Sequence, residues 1–249
     1  MSPAQLIVVE PFEATREALK ASHGIVALPA ATDALAAADL VIWAVKPQVF
    51  AEAAQPVAPF TNNALHLSVA AGIPTDAIAR WLGTERIVRA MPNTPALVGL
   101  GMTALFARNS AKGGANAADR ALVERVLAGT GQTLWVSDES QLNAVTALSG
   151  SGPAYVFYFL EAMRQAGQNM GLPADQALQL AIGTFAGAAE LAKRSPETPA
   201  VLRERVTSKG GTTFAALESM RADQVAEHFI AAMKAAEVRS QELGDEFGK

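Results

Sequence analysis

Apolar residues in the first half of the chain fall in short runs, separated by alanine-rich stretches with polar residues at helical spacing. The run Leu6–Val9 predicts a buried parallel strand. Residues 12–22 predict a helix that stops at His23-Gly24. A short strand is expected over Ile25–Ala27 and a short helix over 33–38. Leu40–Val45 is the clearest strand; Lys46-Pro47 ends it, and residues 48–58 read as helix. A further strand over Ala64–Val69 runs into Ala70-Ala71-Gly72, and Pro74 suits the first position of a helix ending at Leu82. Strands follow over 87–91 and 101–107, then a helix over 116–128 and a last strand over 133–136. Strands alternating with helices predict an α/β, doubly wound parallel sheet.

The pattern changes after Ser137, where strand signals stop. Long helical stretches follow over 141–170, 174–194, 199–206, 213–220 and 224–243. The expectation is two domains, residues 1–137 built on the sheet and residues 138–249 all-helical. Ala181, Gly183, Ala186, Gly187, Ala188 and Ala189 give one helix a small-residue face that permits close contact, within a bundle or between subunits.

Composition narrows the function. With 249 residues, half of them apolar, the chain can bury a sizeable core. A net charge of -4 argues against a nucleic-acid or anionic-membrane surface. No cysteine is present, which excludes disulfides, thiolate chemistry and cysteine-bound metal. His23, His66 and His228 are far apart and show no metal spacing. The N-terminus lacks the basic region of a signal peptide and no apolar run reaches membrane length, so a cytoplasmic location is expected.

Two segments carry candidate chemistry. Ala147-Leu-Ser-Gly-Ser-Gly-Pro-Ala-Tyr155 and Val206-Thr-Ser-Lys-Gly-Gly-Thr-Thr213 set glycines and hydroxyls beside predicted helix starts. Backbone N–H groups there make an anion site suited to a small carboxylate or phosphate. The dinucleotide signature G-x-G-x-x-G is absent from the chain. Instead Glu10 closes the first strand, as the ribose-binding acid closes the second strand of a dinucleotide fold. On that reading the chain begins after the usual first strand, loop and helix, a unit of about 25 residues. The alternative is a different α/β layout in which Glu10 is a solvated turn residue.

Five segments together resemble the pyrroline-5-carboxylate reductase family. They are Leu40-Val-Ile-Trp-Ala-Val-Lys-Pro-Gln48, Ser68-Val-Ala-Ala-Gly72, Arg89-Ala-Met-Pro-Asn-Thr-Pro95, Ala144–Tyr155 and Val206–Thr213. The resemblance implies a Rossmann-like domain, a helical dimerisation domain, and hydride transfer from NADPH or NADH to a cyclic imine, giving L-proline. It implies a homo-oligomer with a small-molecule substrate and neither membrane nor nucleic acid as partner. By resemblance, Ala44, Val45, Lys46 and Pro47 lie against the cofactor, with Ala70, Ala71 and Asn93 near its nicotinamide side. Arg205 stands near the cofactor in place of a commonly smaller polar residue. Glu139 is expected at the proline-like ligand, and Ser208, Gly211, Thr212 and Thr213 form the substrate loop. The Thr213 hydroxyl is the best candidate to hydrogen-bond the imine nitrogen, with Ser208 beside it. Backbone N–H groups of Gly210, Gly211 and Thr212 are expected to hold the substrate carboxylate.

Lys209 stands where the family usually has proline. Glu10 favours a free ribose hydroxyl over a 2′-phosphate, while Arg16 is placed to answer a phosphate. Each residue also has a plainer reading. Thr212 or Thr213 can serve as a helix cap, Lys46 as a surface lysine, Asn93 as a turn residue and Glu139 as a cap for the next helix. Two further functional readings stand beside the reductase. A β-hydroxyacid-type dehydrogenase needs a catalytic lysine on a central helix, and residues 141–170 contain none. An oligomerising subunit without turnover fits the missing glycine loop.

Overall fold

The computed structural model describes residues 3–248. The chain divides into two compact units, Met1–Gly150 with Ala236–Lys249, and Ser151–Ala235.

The first unit opens with α1 (Glu13–His23), followed by β1 (Leu40–Trp43), α2 (Phe50–Val57), β2 (Leu65–Ser68), α3 (Thr75–Leu82), β3 (Ile87–Met91) and β4 (Gly101–Ala107). A small hairpin, β5 (Asn109–Ser110) and β6 (Gly113–Gly114), precedes α4 (Ala117–Leu127), β7 (Gly131–Trp135) and α5 (Gln141–Val145). The main sheet has the order β1-β2-β3-β4-β7. Strand β1 pairs β2 in parallel, Leu40 opposite Leu65, and β2 pairs β3, His66 opposite Ile87. All four residues of β2 are buried, as befits a strand paired on both edges and covered on both faces. Alternation sorts the side chains into two cores. Trp43, Phe50, Ile73, Ile78 and Ile87 pack with α2 and α3. Leu65, Leu67, Val88, Leu105 and Val123 pack with α4. Helix α4 starts on a capping box in which Asn116 and Asp119 satisfy each other's backbone N–H groups.

The structure corrects several expectations. Strand β4 is antiparallel to β3, with Arg89 opposite Phe106. The connection between them is short and holds a 3-10 turn at Thr94–Val98. It has no room for the crossover helix that a parallel neighbour needs. Leu6–Val9 and Ile25–Ala27 form no ladder; one parallel bridge, Val9 to Leu28, joins the two segments. Leu6, Ile7, Val9 and Val26 are exposed, and α1 buries no residue. A single two-stranded pairing is marginal without a third strand to extend it. Pro74 is the N-cap of α3 rather than its first helical residue.

The expected continuous helix over 141–170 breaks after α5. Residues Thr146–Gly150 form a π-helical turn, and α6 (Gly152–Asn169) restarts with Pro153 in its first turn. In the second unit α6 is followed by α7 (Ala174–Arg194), α8 (Pro199–Arg205), α9 (Thr212–Ala222) and α10 (Val225–Phe247). Helix α10 starts in the second unit and ends in the first. Helices α6 and α7 approach closely at small residues: a Cβ added to Gly167 would lie 2.7 Å from the Ala177 Cβ. Tyr155, Phe159 and Phe229 form an edge-to-face cluster. Phe157, Tyr158, Leu180, Leu191 and Ile230 all stay exposed. No helix among the described residues is long and apolar enough to cross a membrane.

Candidate functional site

The carboxyl ends of three parallel neighbours, β1, β2 and β3, are where an open α/β sheet binds its ligand. The residues that follow these strands are Ala44–Pro47, Val69–Gly72 and Pro92-Asn93. The structure thus brings Ala44, Val45, Lys46, Pro47, Ala70, Ala71 and Asn93 to one edge of the sheet. Backbone bonds carry the register beyond the strands, as the Val69 N–H donates to the Trp43 carbonyl at 3.2 Å. The Ser68 hydroxyl, fully buried, accepts from the Ala70 N–H at 3.3 Å. Small side chains and a positive φ of 80° at Gly72 leave the loop after β2 without bulk. Lys46 is exposed and opens the 3-10 turn Pro47–Val49 as its N-cap, without a side-chain cap bond.

A neutral histidine supports this edge from below. The Trp43 indole donates to His66 Nδ1 at 3.0 Å, and His66 Nε2 lies 3.2 Å from the Thr61 carbonyl. Nδ1 must accept, so Nε2 carries the proton. Burial drives the imidazole pKa down to about 4, which the bond to Thr61 resists and the charge of Arg86 assists.

Glu139 joins three elements. Its Oε1 accepts from the Thr75 N–H at 2.7 Å and its Oε2 from the Thr75 hydroxyl at 2.6 Å. Arg89 Nη1 donates to Oε1 at 3.0 Å. The carboxylate therefore caps α3, the helix that follows the β2 loop, and neutralises a guanidinium with 7% of its side chain exposed. Glu139 caps a helix other than the one that follows it in sequence. Arg108 continues the network, donating to Thr75 Oγ1 and to Glu85, and pairing with Asp76.

Asn93 is equally engaged. Its Oδ1 accepts from the Met102 N–H at 2.9 Å, and its Nδ2 lies 3.2 Å from the Ser149 carbonyl and 3.3 Å from the Ser149 hydroxyl. This ties the π-helical turn to the β3–β4 connection. Interruptions of this kind often mark functional segments of a helix.

Glu10 is not free either: its carboxylate accepts from the Phe12 N–H at 2.9 Å. Arg16 spends its guanidinium on the carbonyls of Glu10 and Pro11, at 3.0 and 2.7 Å. Both bonds come from Nη1, so this nitrogen is committed to backbone. The groups to which sequence reasoning gave no role are Arg89, Thr75 and Ser149, whereas His66 is the satisfied core residue its apolar strand suggests. Arg89 was signalled by a charge inside the apolar run Ile87–Met91, since a buried charge requires a partner.

In the second unit, Arg205, Ser208, Gly210, Gly211, Thr212 and Thr213 lie in one stretch from the end of α8 to the start of α9. Gly210 has φ 73° and Gly211 is the N-cap of α9, so Thr212 and Thr213 are its first helical residues rather than caps. The Gly211 N–H is already used, donating to the Ser208 carbonyl at 3.0 Å. The first helical bond comes from Ala215 to Gly211, which leaves the N–H groups of Thr212, Thr213 and Phe214 without helical acceptors. Ser208, Thr212 and Thr213 are exposed. Arg205 pairs with Glu197 across α8. Among the described residues no cluster of histidine and carboxylate side chains could hold a metal ion.

The chain as a whole is similar to known proteins. The model of the pyrroline-5-carboxylate reductase dimerisation domain matches residues 139–243. The pyrroline-5-carboxylate reductase of Pseudomonas aeruginosa is 40% identical over 248 residues, covering 99% of this chain and 89% of that protein. The enzyme of Haemophilus influenzae is 39% identical, covering 97% and 89%. The structure of the Coxiella burnetii enzyme superposes with a TM-score of 0.85 at 35% identity, covering 95% of this chain and 87% of that one. The Plasmodium falciparum enzyme, solved with NADP bound, gives a TM-score of 0.80 at 27% identity, covering 90% and 84%. The chain belongs to the pyrroline-5-carboxylate reductase family.

Proposed function

We propose that this protein reduces 1-pyrroline-5-carboxylate to L-proline with NADPH or NADH, the last step of proline biosynthesis, as a cytoplasmic homo-oligomer. The observation that carries the reading is the near full-length match to reductases at about 40% identity. The Plasmodium relative with NADP bound supports the cofactor class. On this reading residues 1–137 serve the cofactor and 138–249 serve the substrate and the partner copy.

The residues at the sheet edge fit a nicotinamide: the loop after β2 is built of alanine and glycine on a buried serine, and its backbone is fixed. Ala44–Pro47, Ala70 and Ala71 would hold the cofactor, with Glu10 at its outer part. When bound, the cofactor supplies the hydride. The protein positions its partner and manages charge and proton. The backbone N–H groups of Thr212 and Thr213 at the start of α9 suit a carboxylate. Gly210 shapes that turn through its positive φ. The Thr213 hydroxyl is assigned to the imine nitrogen and Ser208 to the adjacent polar contact. Holding both partners in attack geometry supplies several kcal/mol of the barrier reduction.

The test is oxidation of NADPH and of NADH by the purified 249-residue chain, followed at fixed enzyme with and without pyrroline-5-carboxylate. Substrate-dependent oxidation, reduced by Thr213→Val, is expected. The absence of both turnover and cofactor binding would overturn the reading.

A further inference from the structure

The loop after β2 has few side chains with which to hold itself in place, since Ala70, Ala71 and Gly72 carry at most a methyl group. Its support comes from the far end of the sequence. Across from Gly72 lie Leu243 and Gly244 of α10. A Cβ added to Gly72 would sit 3.3 Å from the Leu243 Cβ, and one added to Gly244 would sit 3.2 Å from the Gly72 carbonyl oxygen. The loop backbone therefore meets the helix at its backbone and the Leu243 Cβ, with no room for a further side chain at Gly72 or Gly244. The contact continues along the helix. A Cβ on Gly248 would lie 2.8 Å from Pro74 Cδ, and Arg80 donates to the Gly248 carbonyl at 2.8 Å. Phe247 packs against the core under α2 and α3. One turn earlier, the Ser240 hydroxyl, 4% exposed, donates to Asn143 Oδ1 at 2.9 Å.

We propose that the last turns of α10, with Leu243 and Gly244 at the contact, form a positioning element for the cofactor loop Val69–Pro74. Gly244 acts through Gly72: its missing side chain lets the helix seat against the loop carbonyl and fixes where Ala70 and Ala71 stand. Immediately after the loop, Glu139 holds Thr75 through its backbone N–H and hydroxyl, so contacts of α10 and Glu139 follow one another along Gly72–Thr75. A bare helical role for Gly244 makes the opposite forecast, because glycine in a helix interior is normally improved by alanine. The proposal rests on the reading that Ala70 and Ala71 face the nicotinamide.

Three variants of the full chain test it: Gly244→Val, Gly244→Ala and, as control on the solvent side of the same turn, Asp245→Ala. Hydrogen exchange needs no ligand and reads the loop directly. The segment 69–75 in Gly244→Val is expected to exchange about tenfold faster than in the parent, with β2 and β3 unchanged. In turnover, KM for NAD(P)H is expected to rise about fivefold or more while KM for the imino acid stays constant. Gly244→Ala shows the same split in smaller measure, and remains readable if the valine variant does not fold. Asp245→Ala matches the parent. Unchanged exchange over 69–75 in the Gly244 variants, or a common rise in both KM values, overturns the proposal. A parent chain without turnover would defeat the reductase reading, while the exchange measurement would still decide the brace.

Discussion

Acid should destabilise this protein well before its carboxylates titrate, and His66 is the reason. The imidazole is 1% exposed and wedged between the Trp43 indole and the Thr61 carbonyl. An added proton would go on Nδ1, the atom that accepts from the indole, and would set two donors against each other in a dry site. In the unfolded chain the ring takes its proton near pH 6.5; in the fold it does so only near pH 4. Between those values the unfolded state binds more protons, so stability falls as the pH falls. At about 1.4 kcal/mol per pH unit the full interval is worth about 3 kcal/mol. About 2 kcal/mol of it should be lost by pH 5. Asp119, stabilised as the anion by Arg86 and the Asn116 N–H despite its burial, titrates below the ordinary carboxylate range. So does Glu85, held by Arg108. These groups add little slope above about pH 5. The assay is urea unfolding followed by tryptophan fluorescence at fixed protein concentration, from pH 7 to pH 4.5. His66→Gln keeps an acceptor for Trp43 and a donor for Thr61 but binds no proton, so its stability should be flat from pH 6.5 to 5. Equal slopes in parent and variant would refute the reasoning.

Three other perturbations follow from the geometry. Glu139→Ala leaves the Arg89 guanidinium buried without its partner and should cost about 3 kcal/mol in thermal unfolding. Glu139→Gln, which keeps the Thr75 bonds, should cost less. Gly131→Ala forces a Cβ to within 2.1 Å of the Gly101 carbonyl oxygen at φ 131°. It should lower stability by more than about 2 kcal/mol, measured by denaturant midpoint. Glu10→Ser removes a negative charge from the residue assigned to the ribose, and should raise the ratio of NADPH to NADH efficiency by about tenfold, read from kcat/KM with each cofactor.

The residues set the local elements closely. Strand β4 over Gly101–Ala107, β3 over Ile87–Met91 and α7 over Ala174–Arg194 follow from runs and periods of their own side chains. The motifs after the strands were legible for the same reason, since each is a short contiguous stretch with its own chemistry. Pairing was not. The antiparallel setting of β4 depends on how nine residues of connection fold back, and the failure of Leu6–Val9 to form a ladder depends on neighbours distant in sequence. The partners of Glu139 also lay out of reach. A carboxylate before a predicted helix reads as a cap for that helix, yet this one serves Thr75, whose position beside it is set by the sheet.

What the sequence determined by itself was the alternation of strand and helix, the switch to an all-helical half after Ser137, and the family motifs. These are encoded in nearest neighbours and in the periods 2 and 3.6. What only the tertiary structure decided was who meets whom: His66 with Trp43, Glu139 with Arg89 and Thr75, Asn93 with Ser149, and Gly244 with Gly72. Such contacts join residues tens to more than a hundred positions apart. Their geometry follows from the packing of whole elements, which no local pattern of side chains specifies.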